Sequence, residues 1–153
     1  MTVTIDKLRK LHLFKDLIDR EVEVIAEYAN EERYPAGRRI FEEKALATNL
    51  YLVIEGKVSI RMGEHLLAKQ LEVDTVGPGE IFGWSAITEP YTFTAAAWTL
   101  EETTVIVISG DVLRHIFESN CYIGYPVMRG IASIISGRLR SVREEVVKLL
   151  QKP

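Results

Sequence analysis

The chain has 153 residues, 47% of them hydrophobic and 27% charged, enough for one globular domain around one core. Its net charge of −3 gives the whole molecule no basic surplus to draw it to nucleic acid. The lone cysteine, Cys121, excludes an internal disulfide. No apolar run approaches the roughly 18 residues of a membrane helix, and MTVTIDKLRKLHLF scatters its charges too evenly for a signal peptide or anchor. A cytoplasmic protein without membrane contact is expected.

In chain order, Ile5, Leu8, Leu11 and Phe14 recur at helical spacing. A second helical pattern covers 19–28, with Val22, Ile25 and Ala26 on one face and Asp19 as its N-cap. Pro35 and Gly37 end the helical region, so 1–32 is assigned to N-terminal helices. From 33 to 109 the texture is β-rich: RRIFEE, NLYLVIEG, KVSIRMG, HLLAKQLE, DTVGPGEIF, TFTAAAWTLEE and TTVIVISG. Glu55-Gly56-Lys57 and Met62-Gly63-Glu64 have the composition of hairpin turns. Many short strands with glycine turns indicate an antiparallel barrel or jelly roll. Helical periodicity returns at 110–153, with Asp111 as a cap and a long final helix starting near 122–126 and reaching about Leu150.

Several landmarks come in a fixed order. Pro35-Ala36-Gly37 precedes a strand, then come LYLVIEGKV at 50–58, GPGEIFG at 77–83, Thr94-Ala95, and TVIVI at 104–108. This ordered set, over roughly residues 8–150, resembles the cyclic nucleotide-binding domain family, the sensor module of catabolite-activator-type regulators. The resemblance implies a mainly β fold with flanking α: a double-stranded β-helix (jelly-roll) barrel with N-terminal helices and a long C-terminal helix. It also implies a phosphate-binding cassette at 77–95, in which a short helix after Gly83 aims backbone N–H groups at a cyclic phosphate.

In the family, an acidic residue after that glycine accepts the ribose hydroxyls, and an arginine before the Ser/Thr-Ala pair neutralises the phosphate. Here Trp84 and Phe93 stand at those positions. A hydrogen bond to a charged group contributes about 1.5–3 kcal/mol, so losing the arginine alone predicts an affinity about 10- to 150-fold weaker. Three readings follow. The cassette residues Gly83, Trp84, Ser85, Ala86, Phe93, Thr94 and Ala95 line a pocket for a different, less anionic small ligand. Alternatively, Trp84 and Phe93 fill the pocket, leaving a structural dimerisation module. In the third reading a cyclic nucleotide still binds through backbone N–H groups, Ser85 and Thr94, with Arg61 or Lys69 as a borrowed cation.

Along the final helix, Met128, Ile131, Ile135, Leu139, Val142, Val146 and Leu149 are spaced 3, 4, 4, 3, 4, 3, a heptad-like seam with one slip. Gly130 and Gly137 each cost about 1 kcal/mol relative to Ala and make sense where another backbone packs closely. A homodimer through this helix is expected, as the resemblance implies. The resemblance also implies a polar residue on this helix reaching the ligand's base, for which Ser141 is the candidate hydroxyl. Residues 125–153 carry six cations against Glu144 and Glu145, a +4 segment that could dock on a protein partner and leaves −7 on the rest. The chain ends at Pro153 without the winged helix-turn-helix of DNA-binding relatives, so DNA binding on its own is not expected.

No cofactor, metal or catalytic residue is assigned. A cupin-type metal enzyme needs clustered histidines, and His12, His65 and His115 are scattered. A haem sensor would need an axial ligand that nothing marks. Cys121 reads as a packed thiol at a helix junction. The reading is a stand-alone, non-enzymatic sensor or regulatory domain, 1–153.

Overall fold

The computed structural model of the chain describes residues 3–63 and 69–153. Among the described residues, the order begins with α1 (Ile5–Arg9) and α2 (Asp19–Ala26). The strands are β1 (Ala29–Tyr34), β2 (Arg39–Phe41), β3 (Asn49–Glu55), β4 (Val58–Met62), β5 (Leu71–Val76), β6 (Ile81–Phe82), β7 (Ala96–Thr99) and β8 (Thr103–Ser109). The helices α3 (Gly110–Ser119) and α4 (Cys121–Gln151) close the fold. None of these helices is long and apolar enough to cross a membrane.

The strands form two antiparallel sheets, ordered β1-β8-β3-β6 and β2-β7-β4-β5. This is the expected mainly β, jelly-roll architecture with flanking helices, with one correction. Among the described residues the two sheets stay separate layers and do not close into a barrel. Within the first sheet β3 and β8 are buried on both faces, which explains their uninterrupted apolar runs. Leu50, Leu52, Ile106 and Ile108 face a core shared with the helices. Tyr51, Val53, Val105 and Val107 face a second core between the sheets, with Val58, Ile60 and Ala97 opposite.

Several local expectations change. Residues 29–32, assigned to the helical region, form most of β1. ANEERY buries only Ala29 fully, so it carries no apolar alternation. Pairing with β8 from Ala29↔Ile108 to Tyr34↔Thr103 makes it a strand, and its charges suit a sheet edge. The turn at Gly56 is not a hairpin, because β3 lies in one sheet and β4 in the other. The β4–β5 pair is a hairpin, closed at Met62↔Leu71. The strand expected at 65–72 falls largely outside the described residues and β5 starts at Leu71. The pattern at 5–14 splits into α1 and a 3-10 turn at His12–Phe14.

Neither expected aspartate cap holds. Glu21 Oε1 accepts the Ile18 N–H at 3.0 Å, and the Asp19 carboxylate accepts from Arg9 Nε at 3.0 Å. At α3, Ser109 Oγ accepts the Val112 N–H at 3.4 Å, while Asp111 pairs with Arg114. Asn120 Oδ1 caps α4 by accepting the Tyr122 N–H at 3.1 Å. Ile123, Gly124, Val127 and Ile131 are the buried residues of α4, and the helix runs clear of the body only past Arg138, which still pairs with Asp74 of β5.

Gly110 fixes how α3 meets the sandwich. A Cβ there would sit 2.3 Å from Ala86 O and 2.8 Å from Ala86 Cβ, so the site tolerates no side chain without backbone movement. Gly110→Ala should therefore destabilise the fold by about 1–3 kcal/mol, read from the urea midpoint. An unchanged midpoint would show that α3 does not dock there.

Candidate functional site

The segment 77–95 wraps one end of the sandwich between β5 and β7. Past β6, Gly83 takes left-handed backbone with φ 80°. A Cβ at Gly83 would lie 2.9 Å from Tyr51 Cδ2, so both backbone and space require glycine there. A 3-10 turn, Trp84–Ala86, follows directly. The back of this turn is held by α3: Arg114 Nη1 donates to Ala86 O at 2.7 Å, and its guanidinium lies 3.9 Å from the Tyr91 ring centroid.

Gly83, Trp84, Ser85, Phe93, Thr94 and Ala95 come together around one cavity. Ala86, the other expected site residue, is fully buried beneath Gly110 and belongs to the core. Thr94-Ala95 lies just before β7, which begins at Ala96. Three further residues line the cavity and escaped the sequence reading: Phe41, Ile60 and Arg138.

Phe93 is 5% exposed and stacks on Phe41, with centroids 3.6 Å apart and planes 7° apart. Its backbone is tied to the neighbouring loop in both directions. The Phe93 N–H donates to Ala45 O at 2.9 Å, and the Lys44 N–H donates to Phe93 O at 2.8 Å. Tyr51 and Phe82 extend the aromatic cluster, stacked at 4.9 Å. Burial pushes the Tyr51 hydroxyl above the ordinary phenol value, with Glu32 adding to it against a hydrogen bond from Asn49. With this filling, the cavity measures about 40 Å³. That is room for about one water molecule, whose share of the liquid is ~30 Å³, against the ~300–1,000 Å³ of small-molecule pockets.

The cation at this cavity comes from α4. The Arg138 guanidinium lies 4.5 Å from the Trp84 ring centroid, and Arg138 Nε is 2.6 Å from Asp74 Oδ2 on β5. The contact is an ion pair set off the N–H direction rather than an aligned hydrogen bond. The Arg138 side chain is 12% exposed. Burial pushes its guanidinium below the usual value, while Asp74 and then Glu80 act in the opposite direction. Over an aromatic face in a desolvated place, such a cation contributes up to about 2 kcal/mol.

The two cations expected to serve here do not. Arg61 follows cavity-lining Ile60 on β4 and so projects from the other face. There it lies 5.5 Å from the Trp98 ring and donates to Ser59 Oγ at 3.0 Å. Lys69 is exposed and precedes β5. Ser141 Oγ donates to Gly137 O at 3.2 Å along its own helix. Arg138 carried no motif signal, because its role depends on how α4 folds back over the cassette.

The expected dimer seam divides. Ile131 is fully buried in the chain's own core, and Ile135 packs against that core; the N-terminal half of α4 covers its own sandwich. Met128, Leu139, Val146 and Leu149 are exposed and Val142 is half-buried. Gly130 approaches Leu13, where a Cβ would lie 3.0 Å from Leu13 Cδ1, whereas a Cβ at Gly137 would meet nothing within 4 Å. Cys121, expected to be packed, is exposed. Among the described residues no group of three or more His, Cys, Asp or Glu could hold a metal; His65 lies outside them.

The pattern described as "Cyclic nucleotide-binding domain" matches residues 31–120. The chain belongs to the cyclic nucleotide-binding domain family. It is 32% identical over 96 residues to the cyclic AMP receptor protein of Thermus thermophilus, covering 63% of this chain and 44% of that one. A structure from Geobacter metallireducens GS-15, described as a cyclic nucleotide-binding protein, matches with a TM-score of 0.79 and 31% identity over 90% of this chain and 98% of that one. The Thermus thermophilus catabolite activator protein matches with a TM-score of 0.72 and 27% identity, over 90% and 62% of the two chains. The chain spans about half the length of the curated relatives it matches.

A double-mutant cycle tests the Arg138–Asp74 contact. Arg138→Gln and Asp74→Asn should show a coupling of about 0.5–3 kcal/mol in urea unfolding. Strictly additive effects would mean that α4 is not fastened to β5 in solution.

Proposed function

We propose that this domain is a non-enzymatic regulatory module whose cyclic nucleotide cassette is occupied by its own side chains. The observation that carries the reading is the cavity of about 40 Å³ left among Trp84, Phe93 and Phe41. The ribose and phosphate positions of the family correspond, on this reading, to an indole and a phenyl ring. The counter-charge is internal and arrives on α4. Cyclic AMP and cyclic GMP then find neither space nor their usual acidic and arginine partners.

The output runs through α4. Its N-terminal half is fixed in the core, and its second half presents Leu139, Val146 and Leu149 at 58%, 48% and 49% exposure. Gly137 stands open among them. This face suits a second copy of the helix, giving a cytoplasmic homodimer that signals to a protein partner. A second reading rests on Arg138: if α4 lifts and Phe93 swings out, the same guanidinium can meet an anionic small ligand, cyclic nucleotides included, at low affinity.

Two measurements test these statements. The double change Trp84→Glu with Phe93→Arg should raise calorimetric affinity for cyclic AMP at least about tenfold, the lower bound for regaining one charge-assisted hydrogen bond. No rise would place the ligand positions elsewhere. In sedimentation the wild-type chain should run as a dimer and Leu139→Glu with Leu149→Glu as a monomer. A monomeric wild type would remove the dimer from the reading.

A further inference from the structure

A ligand-sized cleft lies on the far side of the 77–95 segment from the Trp84–Phe93 cavity, with Gly79 and Ile81 at its edge. This cleft, of about 340 Å³, opens between the 3-10 turn at His12–Phe14, the glycine turn before β6, and the first half of α4. This volume is at the lower end of the range for small-molecule pockets and more than eightfold that of the cassette cavity.

We propose that this cleft binds a small amphipathic anion, an apolar ring system bearing one carboxylate. The apolar side is formed by the half-buried Ile134 together with Pro126, with only the edges of the core residues Leu13 and Ile81 reaching the cleft. The polar side is formed by His12, Lys15 and Ser133. Among the described residues none of these three side chains has an internal hydrogen-bond or ion-pair partner, so their donors are free for an incoming acceptor. Arg129 also lines the cleft but is engaged, with Nη2 3.2 Å from Asp16 Oδ2. Lys15 and Arg129 against Asp16 leave the cleft one positive charge, on a chain whose net charge is −3. One unspent cation beside an apolar wall matches a monoanion with a hydrophobic body, and a bare inorganic anion would leave that wall wet.

The cleft also explains the turn's placement. Gly130 lets Leu13 come within contact of α4, so the N-terminal segment and α4 form opposite walls. A ligand between them ties the two together and biases how firmly α4 lies on the body. The site borders the 77–95 segment through Gly79 and Ile81 but shares no residue with the cavity around Trp84 and Phe93.

The test is calorimetric titration of the full chain with naphthoate, with naphthalenemethanol and inorganic phosphate as the uncharged and the non-apolar arms. Naphthoate should bind one per chain at sub-millimolar concentration, and the other two should bind at least about tenfold more weakly, the size of one charge-assisted contact. Lys15→Glu should weaken naphthoate by at least the same factor, and Ser133→Trp should abolish it. Both positions are exposed, and circular dichroism checks that these variants fold. No binding at millimolar naphthoate overturns the site, as does an affinity indifferent to both cleft variants. Equal binding of the alcohol overturns the anion.

Discussion

Phe93 lies flat on Phe41 with 3.6 Å between centroids, and on the proposed reading that contact takes the space a cyclic nucleotide would need. The stack continues through Phe41 to Tyr51 and Phe82, so it belongs to the core between the sheets. Burial rather than ring–ring preference carries the pair, since aromatic rings favour offset over face-to-face stacking, and truncating a buried Phe typically costs about 3–5 kcal/mol. Opening the cassette therefore means disturbing the sandwich itself. On that reading the segment after β6 serves as a packing element, with Gly83 holding its turn at positive φ.

On the same reading α4 supplies the counter-charge. Arg138 spans Trp84 of the cassette and Asp74 of β5, which gives one side chain contact with a loop, a sheet and a helix. A buried guanidinium must be paired or it costs several kcal/mol, so the position of α4 and the state of the cassette are linked. Arg114 makes a similar link on the other side, from α3 to Ala86 O. The cassette is thus held from two helices, and any change in it must be felt by α4. Beyond Arg138 the helix carries apolar residues that its own chain leaves uncovered.

The parts of this molecule that were legible in the sequence are those where apolar density or glycine chemistry acts locally. Strands β3 and β8 were readable because both faces are buried, and the cassette turn because Gly83 needs positive φ. Strand β1 was hidden: ANEERY has the polarity of an edge, and only pairing with β8 makes it a strand. The Gly56 turn looked like a hairpin because sequence does not say in which sheet each strand lies. In the site, Trp84 and Phe93 stood out as aromatics in an anion-type loop, whereas Phe41 and Arg138 arrive from distant segments and gave no signal. The seam on α4 was real as a pattern, yet one periodic stripe covers two surfaces. Ile131 serves the chain's own core, and Leu139 onward faces out.

Thermal melting of the wild-type chain with cyclic AMP and cyclic GMP, each near millimolar, tests the closed cassette most directly. A ligand at 100 times its dissociation constant adds about 2.7 kcal/mol of stability, which for a domain of this size raises Tm by several degrees, at about 2–4 °C per kcal/mol. The account predicts an unchanged Tm with both nucleotides. An upward shift with either would show that the Phe93–Phe41 stack gives way to ligand and that the cassette still works as a nucleotide sensor.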